Sequence, residues 1–210
     1  VLTDRQITQL ELETRSDIDG DGTKAFQFQN ELLNSAGTNT QRLRIAQTTA
    51  GLVLADNGRA IAPNTDISGW PIAPVNATAN TTGVIQLLDP DFSIPTGANP
   101  VYARQLTEWQ TSTAFPAGTN VVSGFELYTS ANGFVTRHSF DTDGSLLFSK
   151  ELSELERIQA EMPLNVDLIG GAANTAAISI NSKLTTEPVN SIQRALYQTN
   201  KGLLLSPNDA

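Results

Sequence analysis

The chain lacks cysteine altogether and contains a single histidine, His138. Without cysteine, no disulfide can staple the fold, and the redox compartment cannot be read from the sequence. Nucleophilic catalysis would need a serine or threonine activated by that one histidine. No apolar run of about 18 residues is present, so the sequence predicts no membrane-spanning helix.

Basic residues are also scarce, since 13 Lys and Arg stand against 22 Asp and Glu, which gives a net charge of −9 and a pI near 4.5. Such a chain is not drawn by charge to nucleic acid or to an anionic membrane, because both bind basic patches. Its 210 residues are enough for one or two domains with a real core. Abundant Thr, Asn, Ala and Gly with few Lys favour an extracellular or viral structural protein. No charged-then-apolar leader precedes Val1, so we expect the start to be either a processed or a trimmed end.

One stretch has a residue pattern typical of metal binding, the sequence DIDGDG that begins at Asp17. Carboxylates on alternate residues repel one another unless a hard cation lies between them, and Ca²⁺ takes oxygen ligands of this kind. The glycines allow the positive φ values of a tight wrap. The sequence therefore predicts a Ca²⁺ site formed by the side chains of Asp17, Asp19 and Asp21 and the backbone carbonyl of Thr23.

The match to an EF-hand is incomplete. The twelfth position of the loop, where a bidentate glutamate is expected, is Phe28. Residues 25–29 alternate polar and apolar side chains, which favours a strand rather than a second EF helix. Either a distant carboxylate closes the site or its affinity is modest. The alternative is a solvated Asp/Gly turn that binds nothing.

Two short helices are predicted. Residues 2–16 begin with a capping box, Thr3 and Gln6, and a second box, Ser153 and Glu156, opens another helix after Leu152. The remaining elements are short strand-like phrases separated by Gly, Asn and Asp turns, which predicts antiparallel meanders in a sandwich-like, mainly β fold. The predicted strands are residues 41–46, 52–54, 59–62, 124–129, 134–140, 145–148, 193–198 and 203–205, with turns at 48–51, 56–58, 131–133 and 141–144. Residues 102–109 fit a strand or a short helix, and the apolar run 84–88 lies in a proline-rich stretch, residues 63–100.

The start of each predicted helix aligns with the other without a gap at a spacing of 150 residues. Leu2 matches Leu152, and the pairs Glu11/Glu161 and Asp17/Asp167 follow. This predicts an internal repeat, with residues 1–150 as the first unit and 151–210 as a second, truncated unit. The second acidic loop keeps one Asp and a glycine, so it is expected to keep the turn without binding calcium.

The last meander stops where its third strand is expected. A missing strand leaves an open edge, and open edges recruit partners. The sequence therefore predicts that the chain pairs with itself by β-augmentation and builds a polymer. Asp141 and Asp143 offer a second ion site, although two aspartates between strands are more often only a hairpin turn.

The order of helix, D-x-[DN]-G-D-G loop and short β phrases resembles the tryptophan-rich calcium-loop repeats at the ends of large secreted cyanobacterial proteins. The residues that carry the resemblance are 13–22 and the phrase 125–147. The Asp loop alone also resembles dockerin and integrin-type calcium loops. The resemblance implies a secreted, calcium-stabilised surface or matrix module without enzymatic activity. It carries over only Asp17, Asp19 and Asp21, as ligands.

Three functions follow as hypotheses. The first is a non-enzymatic extracellular subunit of a filament or surface layer, stabilised by Ca²⁺. The second is a module that binds a polysaccharide or another surface, in which aromatic rings supply stacking faces. Those rings are Trp70, Trp109, Tyr102 and Tyr128. The third is a secreted hydrolase that depends on His138, which lies on a predicted strand where its neighbour Ser139 points to the opposite face.

Overall fold

The computed structural model describes residues 1–14, 16–33, 43–56, 85–111, 118–164, 166–175, 180–189, 192–199 and 202–207. Over these ranges the chain is mainly β, with two short helices, α1 (Asp4–Thr14) and α2 (Glu154–Leu164). The strands are β1 (Phe28–Leu33), β2 (Leu43–Thr48), β3 (Gly51–Asp56), β4 (Ile85–Leu87), β5 (Asn99–Gln110), β6 (Thr119–Ala131), β7 (Phe134–Phe140), β8 (Leu146–Glu151), β9 (Val166–Asp167), β10 (Gly171–Thr175), β11 (Ile180–Val189), β12 (Ile192–Thr199) and β13 (Gly202–Pro207).

The strands form antiparallel sheets in which neighbours along the chain are neighbours in the sheet. Sheet A has the order β1-β2-β3-β4, and sheet B has the order β5-β6-β7-β8. A two-stranded sheet C joins β9 to β10, and sheet D has the order β11-β12-β13. The predicted mainly β fold of antiparallel meanders with two short helices is therefore confirmed, whereas the internal repeat stays a prediction.

The β6–β7 hairpin shows how local sequence sets this topology. Asn132 and Gly133 have φ values of 52° and 84° between the paired residues Ala131 and Phe134. Positive φ at both central positions gives a type I′ turn, whose twist matches that of the flanking strands. The predicted turn is confirmed. Residues 102–109, which the sequence left open between strand and helix, lie in β5 and pair with β6.

Sheets A and B pack face to face as a β-sandwich. Their shared core contains Leu43, Ile45, Leu52 and Leu54 of sheet A, Leu88 and Phe92 of the following connection, and Ala103, Val122, Phe125, Leu127 and Phe140 of sheet B. Alternate residues point to opposite faces of a strand. The other faces of both sheets are therefore available for the helices.

Each helix covers the outer face of one sheet. On sheet A, Leu12 of α1 packs with Phe26 and with Val53 of β3. On sheet B, Leu164 of α2 packs with Tyr128 and other buried residues of that face. The result is a four-layer order of helix, sheet, sheet and helix. Neither described helix has the length and apolarity that a membrane span requires.

Two strand predictions are not settled by the described residues. The predicted return strand, residues 59–62, and most of the turn before it lie outside them, and the outer strand next to β3 is β4, from the run 84–88. The strand predicted to be missing after residues 203–205 stays a prediction, but a strand that the sequence did not predict precedes this meander. Sheet D has three strands because β11 precedes the two predicted ones.

Candidate metal centre

Glu11 fastens the loop that follows α1. The residue is only 2% exposed although it is acidic. Its Oε1 accepts the backbone N–H groups of Ile18, at 2.8 Å, and Asp19, at 3.3 Å, while its Oε2 accepts that of Ala25, at 3.0 Å. Ala25 has a φ of 79°, a left-handed conformation that costs a non-glycine residue about 1–2 kcal/mol. One carboxylate therefore ties both ends of the loop to the helix.

Asp17 and Asp19 shape the interior of this loop. Asp17 accepts the backbone N–H of Gly20, at 2.6 Å, with Oδ1 and that of Gly22, at 2.9 Å, with Oδ2. Asp19 accepts the backbone N–H of Asp21 at 3.0 Å. The φ values of 78° at Gly20 and 89° at Gly22 are conformations that glycine adopts without a steric cost. The glycines thus let the chain wrap around its own carboxylates.

Glu11, Asp17 and Asp19 form an acidic triad. One carboxylate oxygen from each lies within 4.8 Å of those from the other two, and no other such acidic or histidine group occurs among the described residues. No lysine or arginine in the described part of the chain makes an ion pair with these three side chains. The possible ligand atoms are all oxygens, which suits a hard cation such as Ca²⁺ or Mg²⁺ rather than a soft metal that prefers thiolate ligands. The triad could therefore hold a metal ion.

Two of the predicted ligands, Asp17 and Asp19, belong to this triad. Asp21 and Thr23 lie in the same loop but outside it. Asp21 accepts both the Oγ–H and the backbone N–H of Thr23, at 2.6 and 2.7 Å, and these bonds lower the pKa of the Asp21 carboxyl. Their roles as ligands stay predictions.

Glu11 is the ligand candidate that the loop pattern missed. It lies seven residues before Ile18 on the preceding helix, outside any D-x-D-x-D-G pattern. Its place in the triad fits the expectation that a distant carboxylate closes the site. The alignment of Glu11 with Glu161 carried a signal for it, because an acid kept at the buried face of two helices is costly unless it is used.

In the loop after α2, a buried glutamate again accepts a backbone N–H of the loop, but an arginine lies beside it. Glu161 is 1% exposed, and its Oε1 accepts the backbone N–H of Leu168 at 3.0 Å. Asp167 accepts the backbone N–H of Gly170 at 3.0 Å, as Asp17 does that of Gly20. Here Nη1 of Arg157 lies 2.6 Å from the same glutamate oxygen. The buried acid of the second loop therefore has a cation within the chain.

The predicted stacking residues lie in different environments. Tyr102 and Tyr128 are 0% and 1% exposed, so neither ring offers a face to solvent. Trp109 is 64% exposed near the end of the β5–β6 hairpin, and its ring lies against Gly118, where any side chain would collide with the indole. Trp70 lies outside the described residues. A glycan-stacking role for these residues stays a prediction, and Trp109 has the accessible ring.

His138 lies inside the sandwich. The residue is 2% exposed, with Thr129 Oγ1 3.0 Å from its Nε2 and Ser149 Oγ 2.8 Å from its Nδ1. Its ring packs edge-on against Phe92 at 4.9 Å. Desolvation lowers the pKa of His138 to about 4, so the ring is neutral at pH 7. The described geometry gives this histidine the role of a buried hydrogen-bonding residue.

A second acidic pair, Asp141 and Asp143, forms the turn between β7 and β8. Both carboxylates accept the backbone N–H of Ser145, at 3.2 and 2.8 Å. Desolvation raises the pKa of Asp141, while a hydrogen bond with Asp141 lowers the pKa of Asp143 to about 2. These bonds are those of a tight turn, as the sequence favoured.

Comparisons of the chain with models of protein families, with curated proteins and with solved structures give no match. The resemblance to tryptophan-rich calcium-loop repeats therefore stays a prediction.

Proposed function

We propose that the protein is a non-enzymatic structural module of the extracellular or cell-surface space, stabilised by Ca²⁺ and assembled from identical copies through a strand edge. The observation that carries the proposal is the acidic triad of Glu11, Asp17 and Asp19. Three carboxylates this close, one of them buried, repel one another until a cation neutralises them. A bound cation therefore favours the folded loop over the open one.

Calcium fits the triad better than magnesium does. Mg²⁺ demands near-ideal octahedral geometry and keeps several waters, whereas Ca²⁺ accepts irregular sets of six to eight oxygens. Asp21 and the Thr23 carbonyl are close enough in sequence to complete such a set, together with water. The site lacks the bidentate glutamate of a tight EF-hand, which favours an affinity in the range of extracellular modules, about 10⁻⁴–10⁻³ M. Such a site fills where calcium is plentiful, outside the cell.

The edge proposed for assembly is β13. Its neighbour on one side is β12, and no strand pairs with its other side among the described residues. Leu203 of β13 is 67% exposed, whereas Leu52, at the matching place in β3, is 4% exposed. Natural edge strands are usually guarded by charge or proline. The opposite edge of sheet D, β11, carries the charged residues Lys183 and Glu187 within the strand, while β13 carries three leucines and no charge, with its one proline, Pro207, at its last position.

Light scattering and electron microscopy of the purified chain test the assembly directly. With Ca²⁺ we expect growth into filaments or sheets, and with chelator we expect dispersed particles. Leu203→Lys should stop growth because it places a charge on the edge. Leu147→Lys is the matched control, since Leu147 is 61% exposed on β8, an edge that already carries Lys150. A monomer at high concentration with and without Ca²⁺ would overturn the assembly proposal.

A second candidate function, polysaccharide binding, is favoured by the exposed ring of Trp109. An indole held against Gly118 is an ordered, accessible stacking face of the kind that sugar rings contact. Retention on a polysaccharide column that is lost in Trp109→Ala and kept in Phe134→Ala would support this candidate. Phe134 is the matched control because it is 60% exposed on a different hairpin. Equal retention of the two variants would exclude a specific role for Trp109.

A further inference from the structure

The two helices and their loops share more than a sequence alignment. At the start of each helix, a hydroxyl side chain caps the backbone, and the side chain three residues later accepts the backbone N–H of the capping residue. The pairs are Thr3 with Gln6 and Ser153 with Glu156. At each end, a buried glutamate accepts the backbone N–H seven residues further along, at 2.8 and 3.0 Å. We call these regions the first helix–loop unit, α1 through Ala25, and the second helix–loop unit, α2 through Gly170.

Against this shared geometry the units differ at the position one helical turn before the buried glutamate. Arg157 lies 150 residues after Ile7. Both residues stand one helical turn before the buried glutamate, at the i,i+4 spacing that brings side chains together. Arg157 uses that spacing to reach Glu161, and its side chain is 10% exposed in a pair whose acid is fully buried. Ile7 has no charge to offer Glu11.

The two loops also differ in their acidic residues, and here the first loop has the charged side chains. Asp19 of the triad corresponds to Ile169, and Asp21 corresponds to Gly171. The unit whose buried glutamate pairs with an arginine thus lacks these two carboxylates, and the unit whose buried glutamate pairs with no cation of the described residues contains them. An arginine side chain and a metal ion held by further carboxylates are alternative ways to neutralise a buried glutamate.

We propose that Arg157 takes the place of the metal ion in the second helix–loop unit, so that calcium controls only the first. The proposal rests on the proposed Ca²⁺ site. The second unit is formed at any calcium concentration, because its counter-charge is covalently part of α2. The first unit closes only when an ion reaches Glu11, Asp17 and Asp19. Calcium therefore orders one outer face of the sandwich, over sheet A, and leaves the other, over sheet B, unchanged.

Amide hydrogen exchange followed by NMR reads both units in one sample. The reporters are the N–H groups of Ile18 and Leu168, because each donates directly to the buried glutamate of its unit. In the unaltered chain, saturating Ca²⁺ should slow exchange at Ile18 by about 100-fold relative to chelator, the factor expected at a hundredfold excess over Kd. Exchange at Leu168 through local opening of the second unit should be the same in both conditions.

Two substitutions then exchange the properties of the units. Arg157→Met keeps the apolar stem but removes the charge, so Leu168 should lose protection by roughly 100-fold, as expected when one partner of a buried pair is removed. Arg157→Lys is the control, and it should keep most of the protection. Ile7→Arg should protect Ile18 in chelator and weaken calcium binding at least about tenfold through like-charge repulsion. Ile7→Met is its uncharged control.

The outcomes separate the two proposals. No calcium response at Ile18, with no calcium bound, would overturn the calcium site while leaving Arg157 to be judged from Leu168. A calcium response at Ile18 with unchanged Leu168 protection in Arg157→Met would overturn the role of Arg157. So would a Leu168 amide whose exchange through local opening responds to calcium in the unaltered chain. If Arg157→Met does not fold, Ile7→Arg decides, since α2 is intact there and unprotected Ile18 in chelator would contradict the proposal.

Discussion

The first and second helix–loop units bury the same kind of acid and neutralise it differently. Glu161 has Arg157 beside it, at 2.6 Å, whereas Glu11 has only Asp17 and Asp19. The same backbone fastening thus exists in one unit with a cation supplied by the chain and in the other without one among the described residues. The comparison teaches that the same fastening of a loop by a buried glutamate occurs with and without an arginine beside that glutamate.

The sheets that follow the two units also differ. In sheet A, β3 lies between β2 and β4, and its Leu52 is buried. In sheet D, the matching strand β13 has only β12 beside it among the described residues, and Leu203 is exposed. The first unit is completed by the covering strand β4 and, as we propose, by an ion. The second is completed by an arginine and, as we propose, by another copy of the chain.

The two units should differ most in the free energy of unfolding that is lost when each buried glutamate is replaced by glutamine. Glu161→Gln leaves Arg157 buried without its partner, which costs about 3–5 kcal/mol of unfolding free energy. Glu11→Gln should cost only about 1 kcal/mol in chelator, because the loss of an acceptor for Ala25 is offset by less repulsion within the triad. Urea unfolding in chelator measures both. Equal costs would contradict the assignment of different counter-charges.

Leucine truncation sharpens the comparison of the sheets. Leu52→Ala removes a buried side chain from the sandwich core and should cost about 3 kcal/mol. Leu203→Ala should stay within about 0.5 kcal/mol in dilute solution, since the residue is exposed. Urea midpoints of the two variants check this. A large cost at Leu203 in a dilute monomer would show that residues of the same chain cover β13.

Calcium should stabilise the chain through the first unit only. At a hundredfold excess over Kd, bound Ca²⁺ adds about 2.7 kcal/mol to the free energy of unfolding. We expect Asp19→Asn to lose this increment, and Asp167→Asn and the exposed-loop control Asp91→Asn to keep it. Thermal unfolding with Ca²⁺ and with chelator gives the increment for each. Loss in Asp167→Asn would place calcium at the second loop instead.

We expect the pH dependence of stability between pH 6.5 and 4 to come from His138 in sheet B and not from either helix–loop unit. Its folded pKa of about 4 lies below its ordinary value of 6.5. As the pH falls from 6.5 toward 4, the unfolded chain gains a proton that the folded chain does not, so stability falls. The loss should reach about 3 kcal/mol by pH 4, the free energy that corresponds to the difference between these two pKa values. His138→Gln should flatten this slope, and an unchanged slope would assign it to other groups.

The sequence predicted elements whose signals are local. The capping boxes of Thr3 and Ser153 and the Asn132-Gly133 turn specify their geometry within a few residues, and the structure has all three. Contacts between distant segments were less predictable. That β4 pairs with β3 depends on packing across a long connection rather than on any short pattern. β11 was missed although only residues 190–191 separate it from β12, because its sequence, INSKLTTEPV, is mostly polar and lacks a regular alternation.

The sequence predicted only part of the candidate site, because only some of its residues follow a local pattern. Asp17 and Asp19 follow from alternate spacing in one loop. Glu11 reaches the loop because α1 packs its Leu12 into the core beneath sheet A, which orients the neighbouring glutamate toward the loop. The burial of Tyr102 and Tyr128 was likewise invisible in the sequence, since an alternating strand gives no sign of which face a helix covers.

Isothermal titration of Ca²⁺ into the chelator-treated chain tests the central claim, that the triad of Glu11, Asp17 and Asp19 holds a calcium ion. The claim predicts saturable binding of one ion per chain, abolished in Asp19→Asn and kept in Asp167→Asn. No saturable binding in the unaltered chain at millimolar calcium, or equal binding by Asp19→Asn, would contradict it.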